Sequence, residues 1–239
     1  MLFSILSGGN PREIVISLLL TIPVILISLS VHEAAHGYLA YKMGDYTAYN
    51  LGRVTINPLK HLDPMGSLCM LVFGYGWAKP VPINARNFRN PKKGMAFTAI
   101  AGPISNIILG VIGAILFSLA LVLEFKFVFF CSYTNELVAN LMLIVRNFFF
   151  YFGIMNFMLA ALNLIPIPPF DGSRFFSLFL PTKTYFAIMK YERHIMVVLL
   201  IALFACSRLF NFSPFTWVAE KLFYLIVNPL SDFWFQIFF

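Results

Sequence analysis

From Ile14 to Val31 the chain carries no charged residue, and the five residues that follow are His32-Glu33-Ala34-Ala35-His36. A helix rises 1.5 Å per residue, so the uncharged run spans about 27 Å, close to the hydrocarbon thickness of a bilayer. The helical pattern is expected to continue to about Met43, where Gly44 offers a C-cap, with Pro23 as a place for a kink. The run is longer than the apolar part of a removable signal, its Arg12-Glu13 flank is neutral, and no A-x-A site follows, so the segment is expected to be retained. Two histidines and a glutamate thus stand at, or just inside, a membrane boundary. Ionisable groups are so costly in lipid that those found there usually mark a site of function.

The rest of the chain fits a lipid solvent. Charged residues are 11% and hydrophobic residues 60% of the 239, against about 25% charged in a soluble domain. Its 28 phenylalanines exceed what a water-facing globule of this size can bury. The chain therefore reads as an α-helical polytopic membrane protein, one domain over 1–239. Further spans are expected at Met95–Leu123, at Phe148–Ile165 with an extension back to Leu137, and, shorter, at His194–Phe210. The tail Phe215–Phe239 holds Lys221 and Asp232 and either crosses or lies in the interface. Between the first two spans, residues 44–93 are rich in Gly, Pro and Asn, with β-prone pieces such as GRVTIN and KPVPIN. Short strands, turns and a membrane-embedded loop are expected there, the apolar stretch 65–77 included. Irregular backbone at membrane depth survives only against protein or a wet cavity, so this β/loop region is expected to cover the histidine motif.

The net charge of +7 is topology rather than a nucleic-acid signal. Lys42, Arg53, Lys60, Lys79, Arg86, Arg89, Lys92 and Lys93 crowd the first connection, and Arg174, Lys183, Lys190 and Arg193 follow the third span. The connection around Glu124–Glu136 has Lys126 alone. Cytoplasmic loops are enriched in Lys and Arg, which places the first two regions inside and the third outside. Three scattered cysteines, Cys69, Cys131 and Cys206, with no C-x-x-C, argue against a disulfide scaffold and a thiolate zinc site.

Histidines at i and i+4 lie one above the other on a helix, so H-E-x-x-H can present two imidazoles to one zinc ion, with the glutamate beside them as a general base. Catalytic zinc takes three protein ligands, so a third is owed. Asp171, in LNLIPIPPFDGSRFF, follows a proline-rich break at the end of the third span, at the depth and on the side of the histidines. The alternative is that Asp171-Gly172 is only a turn after Pro168-Pro169.

HEAAH (32–36) and NLIPIPPFDG (163–172) together resemble the paired motifs of the site-2 proteases, intramembrane zinc metalloproteases of the M50 type. AGPISN (101–106), LGRVTINPLKHLDPMGSL (51–68) and AKPVPINARNFRNPKKGM (78–95) further resemble the small bacterial and archaeal branch without PDZ or CBS domains, so the likeness covers roughly residues 30–175. The resemblance implies a three-helix metalloprotease core, about 12–180, followed by C-terminal helices, about 185–239. It implies one zinc ion (Zn2+) per chain, held by His32, His36 and Asp171, with Glu33 catalytic. It marks Asn163 and Asn106 as polar positions near the site, either substrate or oxyanion contacts or helix–helix hydrogen bonds. His61 matches a frequent histidine of the branch and otherwise reads as an interfacial loop side chain; His194 reads as a helix-end anchor.

The expected activity is regulated intramembrane proteolysis near the cytoplasmic side of a prokaryotic cell membrane, on single-pass substrates and without nucleic acid. Water would attack a peptide carbonyl while Glu33 takes and returns its proton. A substrate helix must first unwind, and the strand-prone 44–93 region could pair with the freed stretch. Two other classes compete: a metal-binding membrane scaffold, which needs no base such as Glu33, and a metal transporter, which needs acidic or histidine residues along the other spans. Those spans offer only Arg146 and end residues.

Overall fold

The computed structural model describes residues 10–66, 78–130, 136–210 and 213–239. Three long helices dominate: α1 (Pro11–Lys42), and, after the short α2 (Thr47–Asn50), α3 (Pro91–Phe130) and α4 (Glu136–Asn163). Then come α5 (Asp171–Phe176), α6 (Thr182–Met189), α7 (Glu192–Phe210) and α8 (Pro214–Phe238). Among the described residues three stretches can cross a membrane by length and composition: Val15–Lys42, Pro91–Phe127 and Glu136–Asn163. They match the first three expected spans. The expected fourth span and the tail are helical, as α7 and α8, and among the described residues the stretches long and apolar enough to cross are the first three. α1 and α3 run through Pro23 and Pro103, and Gly44 ends the α1 region at φ 105°.

Lipid-soluble helices gain little from burying apolar surface against one another, so close approach through small residues must hold them together. Here the glycines serve that role. A Cβ at Gly113 would lie 2.7 Å from the backbone N and Cα of Gly153 on α4, and one at Gly110 would lie 2.8 Å from the Phe157 ring. Gly110 and Gly113, three residues apart on α3, thus bring it close against α4. α8 closes this side, packing Ala219, Phe223 and Val227 onto Ala114 of α3 and Phe157 of α4.

The connection between α1 and α3 departs from the expected short strands. Among the described residues it holds α2, 3-10 turns at Pro58–Lys60 and Ala85–Asn87, and a single antiparallel bridge between Leu62 and Ala78. Most of the apolar stretch 65–77, with Cys69, lies outside the described residues, as does Cys131. KPVPIN forms no strand: Pro80 and Pro82 have no N–H to give, the Lys79 N–H goes to the His61 carbonyl at 2.8 Å beside the single bridge, and side chains take several of its other polar groups. The Arg53 guanidinium donates to Lys79 O (2.7 Å) and Pro80 O (3.3 Å). Asp45 Oδ2 accepts the Asn84 N–H (2.7 Å), and Asp45 Oδ1 accepts from Asn87 Nδ2 (2.7 Å) and from Thr47 N (3.1 Å). GRVTIN ends in a turn pinned by His61, whose buried ring donates from Nε2 to Thr55 O at 2.8 Å.

Candidate metal centre

α1 carries His32 and His36 on the face turned toward α3, both 6% exposed. Opposite them α3 presents Thr98, Gly102 and Asn106, spaced four apart and so stacked on one face. Gly102 lets the two helices meet at the rings: a Cβ there would lie 2.5 Å from His32 Cε1 and from His36 Nε2. Asp171 enters from the far end of α4, as the first residue of α5. Gly172 allows this, since a Cβ on it would run into the Leu164 and Ile165 carbonyls at the end of α4. Read this way, the glycines of A-G-P and D-G are spacing requirements of one site.

Three ligand atoms converge. His32 Nε2 and His36 Nε2 are 3.0 Å apart, and Asp171 Oδ2 is 3.1 Å from the first and 3.2 Å from the second. Behind the rings, His36 Nδ1 lies 2.7 Å from the Thr98 carbonyl and His32 Nδ1 lies 2.5 Å from Asn106 Oδ1. Both partners are acceptors, so each Nδ1 carries the proton and each Nε2 presents a lone pair. Two lone pairs and an anionic oxygen, with no proton to share among them, repel unless a cation lies between. Ligands about 2.0–2.1 Å from a tetrahedral zinc ion stand about 3.3 Å apart, so the donor set fits such an ion in chemistry and in spacing.

The same residues line a cavity of about 180 Å³, with Glu33, Asn163 and Arg174 among its other polar walls. Glu33 Oε2 accepts the Val81 N–H at 2.8 Å. Pro80, Val81 and Ile83 form the opposite wall, so the 44–93 region does cover the motif.

The family model described as Peptidase family M50 matches residues 20–205. The chain belongs to peptidase family M50. Its relatives include the "Putative zinc metalloprotease YwhC" of Bacillus subtilis (strain 168), 38% identical over 177 residues, 74% of this chain and 76% of that protein. A second, the "Putative zinc metalloprotease Rip2" of Mycolicibacterium smegmatis (strain ATCC 700084 / mc(2)155), is 26% identical over 152 residues, 62% of this chain and 52% of that protein. No solved structure gave a significant match. The M50 chain is thus a zinc metalloprotease of a membrane-embedded family.

Within this M50 site the expected residues separate. His32, His36 and Asp171 come together, and Glu33 shares their cavity. Asn163 also faces the cavity while its Nδ2 donates to Leu159 O at 3.0 Å. Asn106 sits behind His32 rather than on the cavity wall, wholly buried, with Nδ2 donating to Asn156 Oδ1 at 2.8 Å. A substrate or oxyanion contact for Asn106 finds no support in that position, because both ends of its amide are engaged inside the protein. His61 stands apart from the cavity. Sequence reasoning missed Asn156 and Arg174. Asn156 is a lone amide inside the apolar YFGIMNFML, which was signal enough, and Arg174 lies one turn beyond Asp171. It also missed the Thr98 carbonyl and the Val81 N–H, which as backbone groups leave no mark on composition.

Proposed function

We propose that this zinc metalloprotease hydrolyses peptide bonds of membrane-spanning proteins, near the cytoplasmic side of a prokaryotic cell membrane. The observation that carries the reading is the convergence of His32 Nε2, His36 Nε2 and Asp171 Oδ2 in one cavity with the Glu33 carboxylate. His32, His36 and Asp171 would hold the ion. Bound zinc supplies Lewis acidity and lowers the pKa of water to about 7.

The chain's own residues do the remaining work. Glu33 follows His32 directly, and the Val81 N–H on Oε2 orients its carboxylate, leaving Oε1 to take a proton from the attacking water and return it to the departing amine. Asn163 lies where it can hold the substrate backbone. The 79–83 segment, which lines the cavity through Pro80, Val81 and Ile83, is the natural neighbour of an unwound substrate. Its Lys79 and Pro80 carbonyls belong to Arg53 and its Val81 N–H to Glu33, so an incoming strand must displace one of these partners. The sidedness rests on the basic residues that flank the site, Lys79, Arg86, Arg89, Lys92, Lys93 and Arg174.

The test is cleavage of a single-pass substrate by the full chain in liposomes. Glu33→Gln is expected to abolish cleavage with zinc content unchanged, and chelation to abolish it reversibly. Proteolysis that survives Glu33→Gln would remove the assigned role.

A further inference from the structure

We infer that Asn156, in the middle of α4 and not on the cavity wall, is a positioning residue for the metal centre: it fixes which way the Asn106 amide points, and through it which nitrogen of His32 carries the proton. This rests on the metalloprotease reading above.

The argument starts at a main-chain carbonyl. Phe152 O can only accept, so the Asn156 atom 2.8 Å from it is the NH2 group. The second N–H of that group reaches Ser28 Oγ on α1 at 2.9 Å. Asn156 Oδ1 is then the atom that faces α3, and it takes the Asn106 Nδ2–H at 2.8 Å. Asn106 is left with only its oxygen for His32, at 2.5 Å from Nδ1. The proton of His32 must sit in that contact, and Nε2 is freed for the ion. Had the Asn106 amide the opposite orientation, its NH2 would face Nδ1, draw the lone pair there, and put a proton on Nε2 pointing at Asp171 and His36.

Nothing else corrects such an error. Ser28, Asn106 and Asn156 are all wholly buried, so no solvent can satisfy a misdirected donor, and a buried unpaired polar group bears its full desolvation cost. His36 needs no comparable device, since its Nδ1 bonds a backbone carbonyl that has one orientation. The two ligands are thus fixed by different means. One is set by the main chain of α3, the other by a relay that begins in α4 and crosses all three long helices.

The experiment measures zinc affinity of the full chain in nanodiscs by chelator competition, with elution profile and thermal midpoint confirming the fold. Asn156→Leu is expected to weaken zinc binding about 10–100-fold, the range of outer-shell losses. The decisive comparison repeats the substitution in an Asn106→Asp background. A carboxylate accepts from His32 in either orientation, so there Asn156→Leu is expected to cost nothing, or to improve binding by removing an oxygen opposed to an oxygen. A residue that merely packs helices would cost the same in both backgrounds, and that outcome overturns the proposal. So does wild-type zinc affinity in both Asn156→Leu and Asn156→Ala, the latter guarding against a misfolded leucine variant. Failure of the unsubstituted chain to bind zinc would overturn the metalloprotease reading itself, and is distinguishable because it precedes any substitution.

Discussion

Gly102→Ala puts one methyl group where the two histidine rings meet α3. Its carbon would lie 2.5 Å from His32 Cε1, 2.5 Å from His36 Nε2 and 2.6 Å from His32 Nε2. Comfortable carbon contacts begin near 3.5 Å, so about 1 Å must be found. The rings cannot supply it cheaply, because Asn106 Oδ1 and Thr98 O hold both Nδ1 atoms from behind. If α3 backs away instead, the overpacking costs about 1–3 kcal/mol and those two hydrogen bonds lengthen. Either way the ligand atoms, now 3.0–3.2 Å apart, are displaced by several times the roughly 0.2 Å that coordination distances tolerate. The variant is expected to reach the membrane, to melt at a lower temperature in detergent, and to bind zinc about 100-fold more weakly or worse. Chelator competition reads the affinity, and single-pass substrate cleavage reads the activity. An alanine variant with unchanged zinc affinity and unchanged cleavage would refute the close approach of α1 and α3 on which the site depends.

Other perturbations report on other parts of the account. Gly113→Ala should push α3 from α4, since its Cβ meets backbone rather than a yielding side chain, lowering stability by about 1–3 kcal/mol in detergent unfolding while the zinc ligands themselves are untouched. Asp171→Asn removes the anionic ligand and should cost most of the zinc as well as the activity; a variant that keeps both would eliminate Asp171 as a ligand. Burial pushes the Asp45 carboxyl up, but its bonds from Thr47, Asn84 and Asn87 outweigh this and hold it below the usual range. A depressed carboxylate adds stability above its unfolded pKa, near 3.9, and loses it as pH falls through the lower folded value. Asp45→Asn should therefore flatten the acid limb of stability below about pH 4, and an unchanged limb would show that the tie between α1 and the 84–87 turn is not built on this carboxylate.

The sequence was most informative where membrane physics leaves few choices. An uncharged run of bilayer length has to be a helix, and ionisable groups at its end need a reason, so α1 and its H-E-x-x-H could be read directly. Asp171 followed because a third ligand had to lie on the same side. The KPVPIN segment was misread as strand because β propensity reports only on extended backbone. Whether its polar groups find a neighbouring strand or the side chains of Arg53, Glu33 and Asp45 depends on residues 26 to 48 positions away. Asn106 was left open between a substrate contact and a helix–helix hydrogen bond, since the two kinds of amide look alike in sequence. What separates them is Asn156, fifty residues on, which occupies its other end.

Zinc-edge X-ray absorption on the full Glu33→Gln chain measures the proposed coordination directly. A first shell of nitrogen and oxygen alone at about 2.0–2.1 Å, with the outer-shell signature of two imidazoles that falls to one in His36→Ala, is the predicted spectrum. A sulfur shell near 2.3 Å, or fewer than two imidazoles in the parent, would contradict it.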